Sequence, residues 1–437
     1  MKIKIKKLIS KDENFKKKLY LILKKKNNIL NENVDLEVAK ILDNVKKYGD
    51  KSIIEYTNFF DKLNISCVSS LKISLNELKK SLKFISKKNL DSLYVAADRI
   101  RKFHEYQKLN SGLEGFSYID KNGNTFSQRI LPIKRIGVYV PGGTASYPSS
   151  VLMNVIPAKV AGVKEIIMMV PTPHGIKNPL VFAAAYISGI NEVFTIGGAQ
   201  AIGALCYGTK NIKKVDKIVG PGNIYVSSAK RKVFGSVGID MIAGPSEIVI
   251  ICDGNTNPEW IVMDLFAQAE HDILSQSILI CPDEKYLLII EKIINKRINN
   301  MLRKNIIYKS IINYGLFIKT NNLKEACKIS NIIAPEHLEI STKNPNKYLK
   351  YISNAGSIFL GSFSSECIGD YCAGPNHVLP TLQTSRFSSP LGVYDFIKRS
   401  SITYINKISA KKLGNFASNL ALCEGLQAHS MSVLSRI

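Results

Sequence analysis

"RIGVYVPGG", residues 135–143, reads as a short buried strand running into a glycine-rich turn. The segments after it set the architecture. "SSVLMNVIPAKVAGV" has the spacing of a helix, "EIIMMVPTP" of a strand, "NPLVFAAAYISGI" of a helix, "EVFTIGG" of a strand and "AQAIGALCYG" of a helix. "KVDKIVGPGN" and "IYVSSAKRKVFG" add one more strand and helix. Strands that alternate with helices form a parallel sheet wrapped by those helices, because parallel neighbours need a crossover connection. Ligands of such sheets sit at the turns beyond the strands' C-terminal ends.

Working outward, "IVIICD" opens a second series with "SQSILICP", "YGLFIKT", the helix "LKEACKISN" and "GSIFLG". Upstream, residues 1–110 read as helices, with apolar residues at helical spacing in "LEVAKILDNVKKYGDKSIIEYTNFFD". Residues 117–134 read as short strands around the turn "DKNGN", and a short, mostly helical tail begins near residue 393. No sequence repeat is visible.

The bulk numbers exclude several classes. A chain of 437 residues, 45% hydrophobic, can bury the cores of two or three domains. No stretch reaches the roughly 18 uninterrupted apolar residues of a membrane span. The lysine-broken start "MKIKIKKLISK" lacks the features of a signal peptide, so a cytoplasmic protein is expected. Eight scattered cysteines with no C-x-x-C argue against a zinc finger or a disulfide scaffold. The net charge of +25 raises nucleic-acid binding. Lys, Asn and Ile are enriched together, however, as AT-rich codons would produce, and few aromatics interleave with the lysines. The expectation is therefore compositional bias and no nucleic-acid partner.

Four polar stretches could carry chemistry. "QAEHDILSQS", residues 268–277, holds Gln268, Glu270, His271 and Asp272 within one helical turn. This is a metal site, an acid–base pair or the solvated end of a helix. "APEHLEI" sets Glu336 beside His337, and its Pro335 suits the first turn of a helix. "GDYCAGPNHVLPT" holds Asp370 and His377, and "CEGLQAHS" holds Glu424 and His429. Four of the six histidines fall in these stretches; His104 and His174 do not. The turns "VPGG", "IGGAQAIG" and "GPGN" each stand at a strand end, and three of them in one α/β region favour nucleotide or phosphate binding.

Long strings in order, "VYVPGG", "GGAQAIGAL", "KVDKIVGPGN", "IDMIAGPSE", "LFAQAEHD", "PEHLEI", "AGSIFLG", "GDYCAGPNHVLPT" and "EGLQAH", give a sequence that resembles the histidinol dehydrogenases over nearly its whole length. The resemblance implies an α/β fold of two incomplete Rossmann-like domains with parallel sheets and helical N- and C-terminal segments. It implies a helical segment over 1–30, a domain of 31–138 with 248–392 carrying most metal and catalytic residues, a nucleotide-binding domain over 139–247, and a dimerisation tail over 393–437. Gln268, His271, Asp370 and His429 match the zinc ligands, one zinc per subunit. Glu336 and His337 match the acid–base pair. Ser246, Glu424, His337 and the metal ligands match substrate contacts, and Tyr139, Gln200 and Asn223 match nucleotide contacts. The implied reaction is NAD-dependent oxidation of L-histidinol to L-histidine through histidinal, in a homodimer with shared active sites. One position departs: Gly usually comes after the histidine of "AEH" in the family, and here it is Asp272. The alternatives are another NAD-dependent alcohol or aldehyde dehydrogenase, for which Cys372 is the one cysteine in a suitable turn, and a non-catalytic basic RNA-binding protein.

Overall fold

The computed structural model describes residues 3–27, 32–142 and 147–436; Gly143 of the "VPGG" turn and residues 1, 2 and 28–30 of the N-terminal segment lie outside them. Along the chain the strands are β1 (Lys6–Ile9), β2 (Lys72–Ile73), β3 (Phe116–Ile119), β4 (Thr125–Pro132) and β5 (Arg135–Tyr139). They continue with β6 (Glu165–Met169), β7 (Glu192–Phe194), β8 (Lys217–Val219), β9 (Gly238–Ile239) and β10 (Glu247–Cys252). The last are β11 (Gln276–Cys281), β12 (Leu316–Lys319), β13 (His337–Ser341), β14 (Ser357–Leu360) and β15 (Ile397–Tyr404).

Two parallel sheets carry the same strand order. The first runs β7-β6-β5-β8-β9, with β2 added antiparallel to β7. The second runs β12-β11-β10-β13-β14, with β1 added in parallel to β12. In each, the first strand of its series (β5, β10) lies between the second and the fourth. That is the doubly wound pattern, and its reversal point opens a crevice at the strands' carboxyl ends. A third, antiparallel sheet, β15-β4-β3, joins the tail to the hairpin at 116–132. The α/β class with parallel sheets and helical flanks is therefore as expected.

The helices cover both faces of each parallel sheet because their apolar stripes have nowhere else to go. Val38, Ile41, Leu42 and Val45 share one stripe of the helix Glu32–Tyr48 and are fully buried. They pack on the helix Gly198–Tyr207 with Ile202 and Leu205. A Cβ at Gly203 would sit 3.2 Å from Val45, so glycine lets these two helices close up. On the opposite face, Leu93, Ala97 and Ile100 of the helix Lys87–Asn110 meet Val151, Leu152 and Val155.

Three expectations differ from the observed fold. The grouping of residues 31–138 with 248–392 does not hold: the helices between 32 and 110 bury their stripes on the first sheet, and β5 begins at Arg135. An amphipathic stripe states that it needs an apolar partner, not which one. The N-terminal segment is not wholly helical: Ile3 and Ile5 are buried and β1 pairs with β12 before the helix Phe15–Asn27 begins. The alternation Lys-Ile-Lys-Ile has the period of a strand, which the lysine content masks. The tail likewise starts with a strand, β15, before the helices Lys407–Cys423 and Gln427–Leu434.

Candidate active site

The connection at 240–246 leaves the carboxyl edge of the first sheet and enters the second at its amino edge, where Glu247 opens β10 and His337 opens β13. These strands are neighbours, with Ile248 opposite His337. Glu336 Oε2 accepts from the Glu247 backbone N–H at 2.8 Å. His337 Nε2 lies 3.3 Å from Asp370 Oδ1. His337 Nδ1 lies 3.0 Å from Gln268 Nε2, 3.1 Å from the Glu247 carbonyl oxygen and 3.6 Å from Glu336 Oε2. An amide NH₂ only donates and a carbonyl only accepts, so Nδ1 can serve one of its two closest neighbours at a time.

Local sequence explains each placement. The helix Leu323–Ile333 ends at Ala334, which takes the left-handed conformation at φ 49°. Pro335 then prevents continuation, and Glu336-His337 enter β13. The expectation that Pro335 starts a helix is thus reversed: it stands just past the end of one. Gln268 sits in the last turn of the helix Pro258–Ala269, and His271 lies just beyond it, with its backbone N–H donating to the Gln268 carbonyl at 3.3 Å. His271 Nδ1 is 3.3 Å from Ser246 Oγ. Asp370 lies on a single π-helical turn, Gly369–Ala373, a geometry often found at functional sites. Asp272 is exposed and accepts from the Leu274 N–H at 2.9 Å, so it closes its own turn.

The electrostatics arise from burial and close carboxylates. Burial, with Glu247 close by, pushes the Glu336 carboxyl up to about 7. Burial opposes the His337 imidazolium, but Glu366, Glu336 and Asp370 outweigh it and hold its pKa well above the usual value. Burial lowers His271, which favours the neutral ring. Burial would raise Asp370, yet His337 above all, then His377 and His271, keep it below the ordinary carboxylate range.

Three of the four expected metal donors suit a zinc ion. Gln268 is completely buried, and its Oε1 has no partner among the described residues. A neutral His271, an anionic Asp370 and that amide oxygen are N and O donors of the required kind. Among the described residues no three His, Cys, Asp or Glu side chains form such a group, because one donor here is an amide and the fourth, His429, is elsewhere. Glu424 and His429 are exposed on the hairpin of the two C-terminal helices, and neither side chain hydrogen-bonds to the cluster.

On the first sheet the expected nucleotide residues gather at the carboxyl edge. Tyr139 ends β5, and its hydroxyl accepts from the Gly198 N–H at 3.1 Å. Gln200 is buried, with Oε1 lacking a hydrogen-bond partner among the described residues, in the helix after β7. Asn223 caps the helix Ile224–Val233, its Oδ1 accepting from the N–H groups of Tyr225 and Val226. Tyr139 and Asn223 thus flank the β5/β8 reversal point.

The sequence reading gave no role to several residues. Glu247 links Glu336 to the Leu382 N–H, which donates to its Oε1 at 3.1 Å. His377 Nδ1 donates to the Asp370 carbonyl at 2.8 Å. Glu339, Glu366 and Asp264 form a carboxylate group behind His337, in which the Glu366 N–H donates to Glu339 Oε1 at 2.8 Å. An acid four residues before Asp370 and another two after His337 were the available signal for Glu366 and Glu339.

The histidinol dehydrogenase family model matches residues 24–437. Histidinol dehydrogenase of Cupriavidus pinatubonensis is 56% identical over 401 residues, covering 92% of this chain and 90% of that protein. Histidinol dehydrogenase of Burkholderia pseudomallei is 53% identical over 437 residues, covering 100% of this chain and 98% of that protein. The crystal structure of histidinol dehydrogenase from Elizabethkingia anophelis superposes with a TM-score of 0.89 at 33% identity, covering 100% of this chain and 98% of that one. These matches do not favour an aldehyde dehydrogenase built on Cys372 or an RNA-binding protein. The chain belongs to the histidinol dehydrogenase family, the NAD-dependent oxidoreductases of the final step of histidine biosynthesis.

Proposed function

We propose that this chain oxidises L-histidinol to L-histidine through histidinal, with Glu336 and His337 as its acid–base pair. The supporting observation is that pair itself: both side chains are buried at one sheet edge, against Gln268 and Asp370. Gln268, His271 and Asp370, with His429 of the partner subunit, would hold zinc. When bound, zinc supplies a fixed charge that orients the substrate's nitrogens, and NAD supplies the hydride acceptor.

His337, in its neutral form, takes the hydroxyl proton as hydride leaves the carbinol carbon; zinc held by Asp370 would offset one of the carboxylates that raise the ring's pKa. Glu336 then removes a proton from water as the water adds to the aldehyde carbon. Its carboxyl, raised to about 7, matches that task near neutral pH. As the water adds, His337 returns its proton to the aldehyde oxygen, and the neutral ring then takes the hydrate's proton in the second hydride transfer. Ser246 holds His271 in place and lies within reach of the same substrate. Tyr139, Gln200 and Asn223 line the nucleotide side.

The dimer is supported by the tail. Its two helices pack on each other through Ser418 and Ser430, whose hydroxyls are 2.7 Å apart, and they leave Phe416, Leu420, Leu422 and Met431 exposed. An apolar face of this kind needs a partner. A second copy would cover it and deliver Glu424 and His429 to the other subunit's site. A cytoplasmic location is supported by eight cysteines that are all free thiols.

NADH absorbance tests the proposal. Two NADH should form per L-histidinol, the rate should fall with a chelator, and zinc should restore it. Absence of NADH formation by the zinc-supplemented protein would overturn it.

A further inference from the structure

We infer that the buried ion pair Lys230–Asp240 is the positioning element of the nucleotide turn, an inference that rests on the nucleotide side proposed above. The two side chains are 2% and 1% exposed and in direct contact. Between them they hold both backbone groups of Gly220, the first residue of "GPGN". Lys230 Nζ donates to the Gly220 carbonyl at 2.9 Å, and Asp240 Oδ2 accepts from the Gly220 N–H at 2.8 Å.

Gly220 lies just past the end of β8, so these groups stand in for ladder bonds that the strand no longer supplies. Its φ of +109° and its approach to Tyr139, where a Cβ would lie 2.1 Å from the carbonyl oxygen, admit only glycine. The pair also closes a ring. Gly220 leads to Asn223, which caps the helix that carries Lys230, which returns to Gly220. Asp240 begins the connection at 240–246, which is tied to the same helix by Ser227 Oγ donating to the Ala243 carbonyl at 2.8 Å. That connection ends at Ser246, beside His271. One buried pair therefore sets the nucleotide turn against Tyr139, while the strap beyond Asp240 is held separately by Ser227 and ends at Ser246 beside His271.

Burying two charges is costly, and well-packed apolar residues in their place are often no less stable. That separates positioning from stability. Lys230→Met/Asp240→Leu removes the clamp without leaving a lone buried charge, and Asp240→Asn keeps the shape while removing the charge. The measurements are NAD and L-histidinol affinities by calorimetry on the zinc-loaded dimer, with the melting temperature alongside. Both variants should bind NAD roughly 10-fold to 100-fold more weakly, the scale of a displacement of about 1 Å, with histidinol affinity within about twofold of wild type. A folded double variant with normal NAD affinity would overturn the inference; if the double variant does not fold, Asp240→Asn decides in the same way. Gln200→Ala separates the two levels. Weaker NAD binding in Gln200→Ala with normal binding in the pair variants defeats the clamp alone. Normal binding in all three defeats the nucleotide assignment as well.

Discussion

The side-chain amide of Gln268 stands 3.0 Å from Nδ1 of the His337 imidazole, so an expected metal donor and the expected base are in direct contact. A base that accepts at Nε2 carries its ring proton on Nδ1, which donates to the Glu247 carbonyl, while the Gln268 amide packs against that edge of the ring. Gln268→Glu keeps the donor oxygen but places an anionic oxygen against the ring. A nearby negative charge raises a histidine pKa, so the acid limb of kcat/KM for histidinol should move about one unit to higher pH, with zinc retained. An unmoved limb in the zinc-loaded variant would show that the contact is not made in the working enzyme.

Metal and activity should fall together in His271→Asn, because the ring is one of the three donors that the proposal draws from a single chain. Metal analysis after dialysis checks the first and NADH formation the second. Bound zinc should also decline as pH drops through the histidine range, since a ligand imidazole must be neutral. Full activity in metal-free His271→Asn would remove zinc from the account.

The two side chains of the proposed acid–base pair should separate kinetically. Glu336→Gln should slow oxidation of supplied histidinal by roughly 10²- to 10⁴-fold, the range for one general base, and spare the first hydride transfer more. His337→Asn should impair both steps. In wild type the histidinal reaction should gain rate as pH rises through about 7, where Glu336 loses its proton. Normal histidinal oxidation by Glu336→Gln would refute this division.

Behind the pair, Asp264 and Glu339 are both held above the usual carboxylate range, by burial first and then, for Glu339, by Asp264. A raised folded-state pKa gives stability that is present below the ordinary carboxylate pKa and lost as pH rises through the raised value. Glu339→Gln removes that loss. Its melting temperature relative to wild type should therefore climb between about pH 5 and about pH 9, by a few degrees. A difference independent of pH would mean that Glu339 is not protonated in the folded protein.

Much of this was legible in the chain. The alternation after residue 135 dictates parallel sheets because buried strands and amphipathic helices of that length have few other arrangements. The edge that holds the proposed acid–base pair was not legible. Ligands of open α/β sheets sit at carboxyl ends, and Tyr139 and Asn223 obey; Glu336, His337 and Glu247 lie instead at the amino edge of the second sheet, which the strap at 240–246 brings to the first. Gln268 was legible only through resemblance, since an amide is an uncommon zinc donor and its spacing to His271 looks like any helix end. Lys230 and Asp240 were invisible, because a charged residue in a sequence reads as surface until its partner is known.

The most direct test concerns the contribution proposed to come from the partner subunit's tail. Asp370→Asn and His429→Asn each disable one contribution. The two variants are unfolded, mixed in equal amounts and refolded together. If His429 serves the partner's site, each mixed dimer of twofold symmetry has one site with both lesions and one with neither. Random pairing makes about half the dimers mixed, so about a quarter of the wild-type NADH-forming activity should return. No recovery, with mixed dimers demonstrated, would place His429 in its own chain's site and contradict the shared active site.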